Sequence, residues 1–307
     1  MADAPPNLDF VVIGAQKAGS TFLQEAIGDH PDVFSPHGET AYFEDPNYTP
    51  DSLAPLHHAI APGADRKLRG IKRPNYLCLP EVPARIAEHY PQARLIAVLR
   101  DPRWRAVSAY FHLMRSGLLP VAPLEQGMRR ILDGSLDARY PAAPQLVDFG
   151  NYAKGLANFL DHFPREQLLV TLYEDIRADP VGLARTAYRF LDLDESHDPA
   201  TAAAARPMPG IYSVPRQRFV AAFHPIGVEY FHNRTRMNNR GGLRGAIYKA
   251  VNGVDRFGLS KLFANKRPTP SADLWQRLTH AYRDDITQLA DLLDRPLDRW
   301  LDPAAPS

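Results

Sequence analysis

The chain has 307 residues, with 36 Lys or Arg against 35 Asp or Glu and a formal net charge of +1. That length fits one large α/β domain or two small ones, and the balanced charge offers no whole-protein field to recruit nucleic acid. The single cysteine, Cys78, excludes an internal disulfide and any cysteine cluster for zinc or iron–sulfur. No apolar run approaches the ~18 residues of a membrane span, and the start MADAPPNLDF lacks the basic end and apolar stretch of a signal peptide. A cytoplasmic protein is expected, and abundant Ala, Arg and Pro suggest a GC-rich bacterial source.

In chain order, Phe10 to Ile13 reads as a short buried strand and Gly14 to Gly19 as a small-residue loop. Ser20 onward reads as a helix with Phe22, Leu23, Ala26 and Ile27 on one face. Such a strand, loop and helix start aim several backbone N–H groups, and the positive end of the helix dipole, at one spot that suits a phosphate. Lys17 adds a mobile charge, and the Ser20 and Thr21 hydroxyls add donors. The plain alternative is a glycine turn with a solvated lysine. Gly14 and Gly19 have Walker A spacing, yet Ser20 stands in the lysine position and the lysine comes three residues earlier. This arrangement resembles the 5′-phosphosulfate loop of the sulfotransferases. The resemblance implies that Gln16, Lys17, Ala18, Gly19, Ser20, Thr21 and Phe22 surround the 5′-phosphate of 3′-phosphoadenosine 5′-phosphosulfate, PAPS.

His30-Pro31 ends the helix, and the prolines, glycine and acids of Val33 to Tyr48 predict an irregular stretch past the mouth of the loop. Within it, GETAYFED is similar to a segment of the heparan-sulfate-type sulfotransferases, which implies that Glu39 is the general base for the acceptor hydroxyl. A lone surface carboxylate is the alternative. Asp51 to Lys67 reads as polar loop with His57 and His58 exposed, and Leu68 to Lys72 as a short strand. Lys72-Arg73-Pro74-Asn75-Tyr76 resembles the family's segment of lysine, hydroxyl residue, proline and tyrosine, implying that Lys72 faces the transferred group. Ile71 and Arg73 depart from that pattern, so a different acceptor pocket is expected.

Arg94 to Arg100 is the second apolar strand candidate, followed by a helix with Trp104, Val107, Phe111 and Met114 at helical spacing. The unit LRDPRWRAVSAYFH resembles the family's 3′-phosphate element, which implies that Arg100 and Ser108 grip that phosphate. Ser116 to Phe149 reads as loop and short helix, Asn151 to Phe163 as helix, and Gln167 to Tyr173 as strand. Glu174-Asp175 reads as a turn and Pro180 to Leu191 as helix; FPREQLLVTLYEDIRADP is similar to a fold marker of the family. These alternations predict an α/β, P-loop-like, doubly wound parallel sheet with helices on both faces. A single domain over 1–307 is expected, with a helical or loop lid insert at about 199–265.

From Ser213 to Arg267 there are eleven Lys or Arg against Glu229 and Asp255. Lys266-Arg267-Pro268 resembles the basic loop that closes over the 3′-phosphate, making Lys266 and Arg267 further cofactor candidates. Leu243, Ile247, Val251, Val254, Phe257 and Leu262 approximate one apolar helical face, expected to pack on the protein's own core. The other reading is a basic amphipathic lid that gates the acceptor site and rests on an anionic membrane or an acidic carrier. Ala272 to Leu293 reads as a long helix. Together the resemblances imply PAPS-dependent sulfuryl transfer without a metal, releasing 3′-phosphoadenosine 5′-phosphate (PAP). The acceptor hydroxyl would be on a small molecule, glycan, lipid or carrier-bound hydroxyacyl chain. Glu39 would serve as base, with His37 and His112 as substitutes, and Lys17 and Lys72 would meet the leaving group's charge. A P-loop kinase, which Ser20 argues against, and a non-catalytic nucleotide-binding module are the rival readings.

Overall fold

Phe10–Gly14 (β1) is buried along its length because strands flank it on both sides and its side chains are apolar. The computed structural model describes residues 7–136, 138, 140–200, 202, 210–231 and 234–304. With β2 (Val33–Phe34), β3 (Leu68–Lys72), β4 (Arg94–Leu99) and β5 (Leu168–Leu172), β1 forms a five-stranded sheet in the order β2-β3-β1-β4-β5. Every pairing in it is parallel. The connections change direction around β1, and in such sheets ligands gather where the strand order reverses, at the carboxyl ends.

The longer helices are α1 (Ser20–Gly28), α2 (Ala54–Ile60), α3 (Val82–His89), α4 (Pro102–Arg115), α5 (Leu124–Leu132), α6 (Tyr152–Leu160), α7 (Tyr173–Ala178), α8 (Pro180–Phe190), α9 (Val214–Ala221), α10 (Gly242–Val254) and α11 (Ala272–Leu293). The chain divides into two compact units. Met1–Asp101, Asn151–Pro207 and Asp285–Pro296 hold the parallel sheet. In its core, Phe10, Val12, Ile96 and Val98 from the strands meet Leu23 and Ile27 of α1 and Ala184 and Tyr188 of α8. The Tyr188 hydroxyl donates to Ala26 O at 2.8 Å, so the ring is buried without stranding its polar end.

Pro102–Gly150, Met208–Asp284 and Leu297–Ser307 form the second unit, with an antiparallel hairpin of β6 (Val228–Phe231) and β7 (Arg236–Asn239). Arg103, almost wholly buried, donates to Thr279 Oγ1 and Arg299 O, each at 2.9 Å, and its guanidinium lies 4.1 Å from the Trp275 ring centre. That one side chain ties α4, α11 and the C-terminal turn together.

Three expectations are corrected. Asp51 to Lys67 contains α2, because Leu56 and Ile60, one turn apart, are both buried and outweigh the polar composition around them. His57 is half-buried in that helix, 3.1 Å from the Tyr90 hydroxyl, while His58 is exposed. Val33–Phe34 is a strand inside the stretch read as irregular, and Glu174-Asp175 lies in α7 rather than in a turn. Asp175 begins that helix by accepting from Leu172 N at 2.9 Å.

Candidate active site

The turn from Gly14 to Gly19 joins β1 to α1, and its backbone is left-handed at Lys17 (φ 65°) and Gly19 (φ 108°). The φ at 19 suits glycine, and a Cβ there would in addition press 2.7 Å from the movable end of Ile176, its Cδ1. A lysine at 17 carries the cost of a left-handed residue, about 1–2 kcal/mol, which a glycine would avoid. Strain kept at such a place points to a side chain held for its chemistry. α1 begins without a side-chain cap, leaving its first N–H groups available, and Lys17 makes no ion pair among the described residues. Burial, and then Arg100, pull the Lys17 pKa below the usual lysine value, with Glu39 opposing them. Uncapped donors around an unpaired, half-buried cation fit the 5′-phosphate end of PAPS. Phe22 packs its ring against the core of the first unit, so what it offers the loop is its backbone.

Arg100 follows β4 and reaches back to the loop, donating to Lys17 O at 3.3 Å. Its guanidinium stacks 4.6 Å from the Tyr173 ring centre, and the Tyr152 hydroxyl fixes its backbone by donating to Arg100 O at 2.9 Å. The run that carries Tyr173 is similar to a fold marker of the family and is not expected to hold a site residue. Tyr173 is half-buried at the carboxyl end of β5, where the first residue past a parallel strand faces the ligand crevice.

Glu39 is brought to the same place by a set of bonds to the end of β3. Thr40 N donates to Lys72 O at 3.0 Å, the Tyr76 hydroxyl donates to Thr40 O at 2.7 Å, and Phe43 N donates to that hydroxyl at 3.0 Å. Lys72, the last residue of β3, is only 3% exposed; it donates to Thr21 Oγ1 at 3.0 Å and lies 3.9 Å from Glu39. Burial lowers its pKa, with Glu39 and Glu25 opposing the shift. Arg73 Nη1 sits 2.5 Å from Glu39 Oε2, and its other terminal nitrogen pairs with the buried Glu44. Gln16 donates to Asn75 Oδ1 at 3.2 Å, so the loop and the Lys72–Tyr76 segment are directly joined.

A cavity of about 780 Å³ opens beside these groups, lined among others by Thr21, Gln24, Glu25, His37 and Lys72. The Gly14–Gly19 turn, Glu39, Lys72 and Arg100 thus lie together in the first unit. Ser108, Lys266 and Arg267 belong to the second, where the Arg267 guanidinium stacks 3.7 Å from the Trp104 ring centre and Lys266 is exposed. Asn75 and the double pairing of Arg73 escaped sequence reasoning, since both depend on contacts between distant segments. No His, Cys, Asp or Glu cluster suited to a metal occurs among the described residues.

Residues 7–205 match the family model described as Sulfotransferase domain. Human heparan sulfate glucosamine 3-O-sulfotransferase 3B1 is 31% identical over 185 residues, 60% of this chain and 45% of that protein. The mouse protein of the same name is 33% identical over 192 residues, again 60% of this chain and 45% of that one. The matches span less than half the length of these relatives. A solved sulfotransferase from Alicyclobacillus acidocaldarius superposes with a TM-score of 0.67 over 97% of this chain and 100% of that one, at 20% identity, which shows a shared fold.

Proposed function

We propose that this chain, which belongs to the sulfotransferase domain family, moves a sulfuryl group from PAPS to an acceptor hydroxyl and releases PAP. The observation that carries the reading is the convergence of Lys17, Lys72 and Glu39 at the carboxyl ends of β1 and β3, beside a cavity large enough for an acceptor. PAPS supplies an activated sulfur whose bond to the 5′-phosphate oxygen breaks as the acceptor oxygen bonds to it. Glu39 takes the acceptor's proton, help worth on the order of 10²- to 10⁴-fold. Lys17 and the first N–H groups of α1 hold the 5′-phosphate and balance the charge that builds on its bridging oxygen. Lys72, oriented by Thr21, adds a second cation on the acceptor side.

Arg100 supplies a planar fork of donors for the 3′-phosphate, stiffened by its stack on Tyr173. The parts of Ser108, Lys266 and Arg267 in that grip rest on the family resemblance. The acceptor is a hydroxyl on a small molecule, glycan, lipid or carrier-bound hydroxyacyl chain, and the mixed lining, with Gln24, Glu25 and His37 beside Val33, Phe34 and Pro36, suits one with both hydrogen-bonding and apolar parts.

Calorimetry with PAP, AMP and ATP tests the reading. PAP should bind without magnesium and at least ~10-fold more tightly than AMP, as loss of one charged hydrogen-bond set requires. Equal affinity for AMP, or magnesium-dependent consumption of ATP, would sink it.

A further inference from the structure

Every large apolar side chain that is exposed among the described residues lies between Ile226 and Phe263 in the second unit. Leu243 is 79% exposed, Phe257 68% and Leu262 76%, with Ile247 and Val254 also open to solvent. At about 100° per residue, Leu243, Ile247 and Val254 fall within a narrow arc of α10. Val251 lies about 40° beyond Ile247 and Tyr248 about 100° beyond it, and both join Val220 and Val228 in a buried cluster. The expectation that the apolar stripe packs on the protein's core therefore holds for Val251 and fails for the rest. α10 buries the edge of its apolar sector that carries Val251 and Tyr248 and leaves the rest of that sector open to the outside. A surface helix ordinarily turns polar residues outward, so the outer stripe calls for an apolar medium of its own.

The charges around the stripe indicate which medium. A π turn at Asp255–Leu259 and a helical turn at Ser260–Leu262 continue α10, giving a ridge roughly 30 Å long at 1.5 Å per residue. Arg244, Lys249, Arg256 and Lys261 along it are all exposed. Its one acid, Asp255, is turned inward and neutralised: Arg216 holds it at 2.8 Å and Arg115 at 2.9 Å. What the ridge shows outward is an apolar line with cations beside it and no anion. It is a convex single line rather than a groove, a shape suited to entering a layer of headgroups and acyl chains rather than to clasping a folded partner.

We propose that this ridge docks on an anionic lipid bilayer, with Leu243, Ile247, Val254, Phe257 and Leu262 at the acyl boundary and the four cations on acidic headgroups. The inference does not depend on the transferase reading.

The test is flotation of the whole protein with vesicles of phosphatidylcholine alone or with about 30% phosphatidylglycerol, a fraction that sets a strongly negative surface potential. The protein should float with the anionic vesicles, stay down with the neutral ones, and be released by high salt. Leu243→Ser/Phe257→Ser/Leu262→Ser, all at exposed positions, should lower anionic binding at least ~10-fold, while an unchanged melting temperature shows an intact fold. Arg244→Gln/Lys249→Gln/Lys261→Gln should abolish the preference for anionic lipid. The proposal is overturned by no flotation with either vesicle, by equal flotation of wild type and the serine variant, or by a wild-type dimer in sedimentation velocity that the serine variant loses without any lipid binding. Capture of a purified acidic acyl carrier protein in place of vesicles, lost in the serine variant, also overturns it.

Discussion

Arg73 holds Glu39 at 2.5 Å with one terminal nitrogen of its guanidinium, and the other is anchored on Glu44, a carboxylate only 2% exposed. The proposed base is thereby fixed through an arginine to a buried acid. Removing Arg73 takes the guanidinium away from the buried Glu44 carboxylate, so Arg73→Met should destabilise the protein, by up to about 3–5 kcal/mol. Arg73→Met with Glu44→Leu replaces the pair by apolar volume and should recover most of that loss in urea unfolding. The double variant should still transfer sulfate at least ~10-fold more slowly, because Glu39 is no longer positioned. Recovery of both stability and rate would show that Arg73 serves packing alone.

Glu39→Gln keeps the shape and removes the basic oxygen. Turnover of PAPS with an accepted alcohol should fall on the order of 10²- to 10⁴-fold, while calorimetric affinity for PAP changes little. If the rate survives, His37, which lines the cavity, is the next base to replace.

The parallel sheet was legible because β1, β4 and β5 are largely apolar runs bounded by turn residues, and the turn from Gly14 to Gly19 because its glycines are local in sequence. Arg73 was visible only as a departure from the family's pattern. Its partners, 34 and 29 positions away, are set by how the segment after β2 folds against β3. The periodicity of Leu243 to Leu262 showed that α10 has an apolar stripe, but a period cannot tell which medium the stripe meets. Of the predicted stripe Val251 packs inward, and Tyr248, outside the stripe, packs beside it.

Arg100 is the charged fork proposed for the 3′-phosphate, so Arg100→Ala should weaken PAP about 10- to 100-fold and leave AMP nearly unchanged. Tyr173→Leu removes the stacked ring but keeps the charge, and a smaller loss for PAP is expected, read by the same titrations. Equal losses for PAP and AMP in Arg100→Ala would place that arginine in the structure of the loop rather than at the ribose phosphate.

Lys17 gives up its proton more readily than a free lysine, first because it is buried and then because Arg100 repels its charge. A phosphate beside it offsets both effects and draws the pKa back toward 10.5. Between the lowered value and 10.5, PAP binding must therefore take up protons, and affinity must fall as pH rises through that window. Calorimetry in buffers of different ionisation enthalpy should show greater uptake at about pH 9 than at about pH 7, in keeping with a lysine titrating below its usual value. Lys72, also lowered by burial, contributes to the same uptake, so the comparison that isolates Lys17 is with Lys17→Arg, whose guanidinium stays charged throughout. The variant should show the smaller buffer dependence. Identical slopes in the two proteins would mean that the Lys17 ammonium does not meet the phosphate.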